Sequence, residues 1–481
     1  MIDPLWLLLI GMIVVLGGIL LLRLHAFLAL VLGALIVGSL TSSAALEQFA
    51  QDKKMTVQET TNLVQRSVGE RMVSEFGRTC AKIGILIAMA SIIGKCLLES
   101  GAAERIVRSA LRLFGEKGAP HAFLSSGFVL GMPVFFDTVF YLMIPLGKAT
   151  GMRTGRNYAL YIMTIVAGAT MAHSLVPPTP GPLFVAGELS VSIGLMILGG
   201  TVVGLFAVSF GYLYALWANR RWPIPVRDTV DISTEELVAL SQKNEKDLPP
   251  LSLSVLPIIL PVILIAGNTV FTSIADTTGS GGSSPRQGGL VTLLNSLGNP
   301  NIALTISAAI ALGTLAWQRR TNREQMSTFV QSALSSGGLI ILITAAGGAF
   351  GGILQQTGIG HRVRELATTY QIGVLPLAFG VTALVRTAQG SATVAMITAV
   401  GILGGLASGG QLAFHPLYLA LAIGCGSKPF PWMNDSGFWV ICKMSGMTEV
   451  ETLKTTSTMM TLMGIAGLIV TMIFAHILPL V

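Results

Sequence analysis

Nine apolar runs set the terms on which this chain can fold: residues 4–22, 25–41, 80–98, 157–175, 190–217, 251–271, 301–317, 337–356 and 456–480. About 20 such residues in a helix match a hydrocarbon layer of ~30 Å. Only 11% of the 481 residues are charged, against roughly a quarter in a soluble domain, so lipid must be the solvent for much of the surface. Open sheet edges do not survive in lipid, so the spans are helices. The run at 4–22 has no basic residue before it and no cleavage site after it, and reads as a retained helix rather than a secretory signal. The fold class is an all-α polytopic membrane protein.

The net charge of +7 does not imply nucleic acid. The basic residues sit in short loops between spans, where cytoplasmic placement explains them. "NRRW" (219–222) and "QRRTNRE" (318–324) are the strongest of these loops, and "DTTGSGGSSPRQGG" (276–289) should lie outside. Arg23 favours an inside turn between the first two spans. That puts residues 42–79 in an outside loop, despite its lysines and arginines, and both termini on the periplasmic side. Cys80, Cys96, Cys425 and Cys442 have no C-x-x-C spacing and read as small hydrophobes. No metal or cofactor motif is present. The glycine-rich "AAGGAFGGIL" (345–354) lacks the P-loop lysine and reads as a close helix contact.

The polar stretch 218–250 divides the chain into residues 1–217 and 251–481, with a cytoplasmic linker between them. The halves share a plan. "GKCLLESGAAERI" (94–106) aligns with "GGILQQTGIGHRV" (351–363), matching Gly94, Leu97, Gly101 and Arg105 to Gly351, Leu354, Gly358 and Arg362. Pro120 and Pro376 follow, then the interrupted segments "GMPVFFDT" (131–138) and "RTAQGSAT" (386–393). A proline-rich break comes last in each half, "HSLVPPTPGP" (173–182) and "GSKPFPWMND" (426–435). Counting spans against the basic loops makes 119–147 a re-entrant hairpin and 373–407 its inverted counterpart. The broken helices are then 157–188 and 415–445, and the total is about 10 full spans plus two hairpins. Transporters are often built from such inverted repeats.

Four prolines in ten residues end a helix at membrane depth. Unwound backbone there is tolerated only when buried in protein or lining a watery cavity. Paired by inversion, two hairpin tips and two breaks would present free N–H groups and helix N-termini to an anion near the midplane. The polar residues agree, because a charge at the bilayer centre costs about 2.5–3.5 kcal/mol even on the lenient insertion scale. Arg386 has the planar fork that grips a carboxylate, and Lys428 is a second cation. Thr138, Ser174, Thr179, Thr387, Ser391, Thr393 and Ser427, with Asn434 and the backbone at Gly390, can hydrogen-bond a polyhydroxylated chain. Asp137, Glu188, His173 and Asp435 are the candidates to carry a coupling proton. Each has a plainer reading: Asp137 as a buried ion pair with Arg386 or Lys428, His173 as a cap or packing residue, Glu188 as a solvated helix end. His25, His121, His361, His415 and His476 read as structural, and Lys82 and Lys95 as snorkelling side chains.

At these residues the chain resembles the gluconate permease (GntP) family of the ion transporter superfamily. The motifs are "GKCLLESGAAERIVRSALRLFGEKGAP", "GFVLGMPVFFDTVFYLMIPL", "HSLVPPTPGPLFVAGELSV", "LVRTAQGSATVAMITAVGIL" and "GCGSKPFPWMNDSGFWVICKMSGMTEVETLKT". The resemblance implies proton-coupled uptake of gluconate or a related sugar acid across a bacterial inner membrane, with no cofactor. Relatives also take D-serine and glycerate, and the superfamily contains sodium-coupled members. It further implies a homodimer with elevator-type alternating access. A channel or a membrane-embedded hydrolase is the competing class; no H-E-x-x-H or paired catalytic carboxylates support the hydrolase.

Overall fold

In the computed structural model, residues 2–227, 247–277, 289–320, 323–359, 362, 373–407 and 412–480 are described. Every regular element among them is helical. The first half comprises α1 (Pro4–Leu20), α2 (Ala26–Leu40), α3 (Ser43–Asp52), α4 (Val57–Gln65), α5 (Val68–Glu99), α6 (Ala102–Phe114), α7 (Ala119–Gly131), α8 (Phe136–Thr154), α9 (Tyr158–Leu175), α10 (Pro180–Glu188) and α11 (Ile193–Arg221). The second comprises α12 (Leu251–Thr277), α13 (Gly289–Leu297), α14 (Pro300–Arg319), α15 (Arg323–Gln355), α16 (Val374–Gln389), α17 (Ala392–Ala407), α18 (Pro416–Gly426), α19 (Ser436–Ser445) and α20 (Glu449–Thr452). A π-helical turn at Leu453–Ser457 leads into α21 (Thr458–Ile477).

Seven described segments are long and apolar enough to cross a bilayer: Val68–Glu99, Tyr158–Glu188, Ile193–Arg221, Leu251–Thr272, Pro300–Arg319, Glu324–Gln355 and Glu449–Ile477. Each contains or overlaps one of the expected runs. The runs at 4–22 and 25–41 become the shorter α1 and α2, and the chain bends by 102° between α2 and α3. Residues 42–79 are not a loop. Ser42 caps α3, Thr56 and Glu59 form a capping box on α4, and Ser67 and Glu70 form another that starts α5 twelve residues before its apolar stretch. These local caps outweigh the polarity that suggested a loop. Most of the polar linker, most of "DTTGSGGSSPRQGG" and His361 lie outside the described residues.

The glycines of "AAGGAFGGIL" work as helix contacts. A Cβ on Gly348 would fall 2.1 Å from Thr79 Oγ1, and one on Gly352 would fall 2.6 Å from the Glu75 carboxylate carbon, so α15 lies directly on α5. On another face, Gly351 meets Gly401 of α17, backbone to backbone. The Tyr158–Glu188 segment is shielded from lipid, with 94% of its most apolar stretch inside the protein. That shielding is what allows it to be interrupted. By contrast α11 exposes Leu205, Phe206, Phe210, Leu213 and Trp217, as a lipid-facing helix should.

Candidate functional site

α9 stops at Leu175, and four non-helical residues, Val176 to Thr179, separate it from α10. α18 stops at Gly426, and nine residues separate it from α19. Two short connections lie between paired helices: residues 132–135 join α7 to α8, and Gly390 with Ser391 join α16 to α17. Gly390 has φ +88°, a conformation open to glycine. A Cβ there would lie 2.2 Å from the Asn434 carbonyl oxygen. The α16–α17 tip thus rests on the second break. Asn434 Nδ2 donates to the carbonyls of Thr387 (2.8 Å) and Ala388 (3.1 Å), and Trp432 Nε1 donates to Thr387 (2.8 Å), which satisfies the open end of α16.

A cavity of about 450 Å³ opens at this junction, within the range of small-molecule sites. Three helices begin on its wall: α8 with Phe136, Asp137 and Thr138, α17 with Ser391, Ala392 and Thr393, and α19 with Asp435, Ser436 and Gly437. Their free N–H groups and dipoles favour an anion. The two cations named from sequence are on the same wall. Arg386 is 3% exposed and Lys428 2%. Arg386 donates from Nε to the Ser427 carbonyl (3.1 Å) and from Nη2 to Asp435 Oδ2. Its Nη1 is buried with no partner. Lys428 Nζ donates to the Thr170 carbonyl (2.6 Å). Asp435 has two tasks: Oδ1 caps α19 through Gly437 N–H (2.9 Å) while Oδ2 holds Arg386. The carboxylate that pairs with Arg386 is therefore Asp435 and not Asp137, whose side chain is exposed on the cavity wall.

Of the residues named from sequence, the cavity wall holds Asp137, Thr138, His173, Arg386, Ser391, Thr393, Lys428 and Asp435. His173 sits edge-on to Phe135, with its Nδ1 buried and unpartnered. Ser174 is fully buried, and Thr179 donates to its own turn at Val176 (2.8 Å). Thr387 and Ser427 bond back onto the carbonyls of Ala383 and Gly424. Thr387, Gly390, Ser427 and Asn434 support the site from behind. Glu188 lies elsewhere, at the end of α10, where it accepts from Arg78 (3.2 Å) and Lys82 (3.1 Å). Lys82 is thus an ion-pair partner of Glu188, and Lys95 pairs with Glu99 (3.0 Å). His25 and His415 cap α2 and α18 through Nδ1.

Sequence reasoning missed Thr170, Ser336, Thr456 and Ser457, which also line the cavity. Thr456 and Ser457 had a visible signal: "TTST" (455–458) sets four hydroxyls at the head of an apolar run. Ser336 lies in a helix with no local irregularity to mark it.

Interrupted helices with buried cations on the wall of a cavity are the architecture of a membrane transporter. The comparisons give the family. Residues 3–477 match the profile of the GntP family permease, and the chain belongs to that family. It is a multi-pass membrane permease and not an enzyme. An uncharacterised permease from Haemophilus influenzae is 33% identical over 455 residues, 92% of this chain and 86% of that protein. A gluconate permease of Pseudomonas aeruginosa is 29% identical over 477 residues, 98% of each chain. The fold resembles that of the YdaH transporter of Alcanivorax borkumensis, with a TM-score of 0.61 at 14% identity, covering 85% of this chain and 88% of that one.

Proposed function

We propose that this permease imports gluconate or a related sugar acid across the bacterial inner membrane by proton symport. The observation that carries the reading is the unpartnered Nη1 of Arg386, a buried guanidinium donor of a residue that lines the cavity with Lys428. An unsatisfied buried donor costs about 1–3 kcal/mol or more when charged, and a carboxylate would remove that cost. The helix N-termini at 136, 392 and 436 add to the attraction. The curated relatives named as gluconate permeases give the same substrate class.

Asp137 is the best carrier of the coupling proton. It lines the cavity and makes no ion pair among the described residues, whereas Asp435 is held by Arg386 and Glu188 by Arg78 and Lys82. The matched order of elements supports two inverted repeats: α5 with α15, α7–α8 with α16–α17 as re-entrant hairpins, and α9–α10 with α18–α19 as broken helices. With α1 and α2 as further spans, this reading leads to about 10 spans plus the hairpins. The basic segments are tied to one another or to their neighbours, Arg153 to Glu116 (3.2 Å), Asn219 to Asn157 (2.9 Å) and Arg319 to the Glu99 carbonyl (2.6 Å), as expected of one cytoplasmic face. The linker and both sides of it then lie inside and the termini in the periplasm. A homodimer with an elevator movement of the hairpin-bearing part is the mechanism this architecture favours.

Reconstituted vesicles loaded at neutral pH test the coupling. With labelled gluconate and acid outside, the permease accumulates substrate against its gradient, and an inward sodium gradient at equal pH drives nothing. Accumulation on sodium alone would replace proton with sodium coupling, and equilibration without accumulation would make the protein a facilitator or channel.

A further inference from the structure

The π-helical turn at Leu453–Ser457 changes which hydroxyls of "TTST" are free. In an α-helix each serine or threonine hydroxyl can bond back to the carbonyl four residues earlier. Thr455 does so to Glu451 (2.6 Å), and Thr456 to Thr452 (3.1 Å). The next carbonyl in the series, that of Leu453, would serve Ser457. The extra residue of the π turn gives it instead to Thr458, whose Oγ1 donates to it across five residues (3.0 Å). Ser457 is left 6% exposed on the cavity wall, with its hydroxyl buried and without a partner. A buried hydroxyl without a hydrogen bond is costly, and π-bulges are frequent at functional sites.

The position along α21 fits a ligand with two polar ends. Gly464 brings α21 against the second break, where a Cβ would lie 3.0 Å from the Cβ of Lys428. Ser457 is seven residues earlier, about 10 Å along the axis at 1.5 Å per residue. Arg386, Lys428 and Ser457 line one cavity, so a carboxylate held at the two cations can leave the far end of an extended polyol chain at Ser457.

We infer that Ser457 is a specificity-determining residue, a hydroxyl that the π turn leaves without a backbone acceptor and so available to hydrogen-bond the hydroxylated tail of a sugar acid, remote from the carboxylate. This rests on the sugar-acid reading above. The test is equilibrium binding of gluconate and of glycerate, a shorter acid lacking the distal hydroxyls, to the purified full-length protein and to Ser457→Ala. The expected result is about a tenfold loss of gluconate affinity, the worth of one hydrogen bond, with glycerate affinity unchanged. Ser457→Thr, which keeps the hydroxyl, should retain most of the gluconate affinity. Equal weakening of both acids would make Ser457 a packing residue, and no change for either would remove it from the site. If the unsubstituted protein binds neither acid, the sugar-acid reading itself fails, and this inference with it.

Discussion

The two proline-rich breaks look alike in sequence and behave differently in space. The first, at 176–179, packs Pro177 and Pro178 into an apolar crevice against Leu86 of α5, Ile258 of α12 and Leu304 of α14. Its charged neighbour, Glu188, is spent on Arg78 and Lys82, away from the cavity. The second, at 427–435, carries Lys428 and Asp435 onto the cavity wall and receives Arg386 from the tip of α16. A break at membrane depth therefore need not be a binding site. The first is sheltered by apolar packing, and the second carries its charged groups onto the cavity wall, where the proposed substrate would bind. What the first half gives the cavity comes chiefly from other places: Asp137 and Thr138 at the start of α8, and His173 and Thr170 one and two turns before the break.

Three substitutions sharpen this contrast. The largest effect belongs to the second region: Arg386→Ala should weaken gluconate binding at least 100-fold, about 3 kcal/mol or more, as expected for a charge-assisted contact. Calorimetric titration reads it directly. An intermediate effect belongs to the α8 start. Asp137→Asn should abolish accumulation driven by a pH gradient while exchange of internal for external substrate persists in vesicles. Unimpaired accumulation would make Asp137 part of the wall and nothing more. The smallest belongs to the first break. Glu188→Gln should cost about 1 kcal/mol of stability, because Arg78 and Lys82 are themselves partly exposed and screened. A thermal melt should fall by a few degrees at most, with accumulation intact. Loss of accumulation in that variant would move the proton site to α10 and reverse the contrast.

Much of this arrangement was legible in the sequence because lipid makes polarity expensive. A buried arginine and lysine beside proline and glycine stand out in an apolar chain, and Arg386, Lys428, Asp435 and Asp137 were all found that way. The family could be read from the long motifs around them. Partners were harder to read, since pairing depends on which break meets which tip. The plainer reading of the sequence pairs Asp137 with Arg386 or Lys428, whereas the second break, on which the tip at Gly390 rests, brings Asp435 to Arg386. Helical caps at Ser42, Thr56 and Ser67 were present in the sequence of 42–79 but were masked by its overall polarity. Ser457 stands in the visible "TTST" cluster, but that its hydroxyl is free does not show there. Its availability follows from one extra residue in a helical turn, which no local pattern announces.

The claim on which the rest depends is that Arg386 serves a ligand and not only the ion pair with Asp435. Removing Arg386 alone strands a buried carboxylate, which by itself costs about 3–5 kcal/mol of stability. The decisive measurement is gluconate binding to the double variant Arg386→Ala with Asp435→Asn, which removes both charges and keeps the side-chain oxygen that caps α19, alongside its thermal melt. The expected result is a folded protein with a near-normal melting temperature and no measurable gluconate binding. A double variant that binds gluconate with the affinity of the original protein would contradict it.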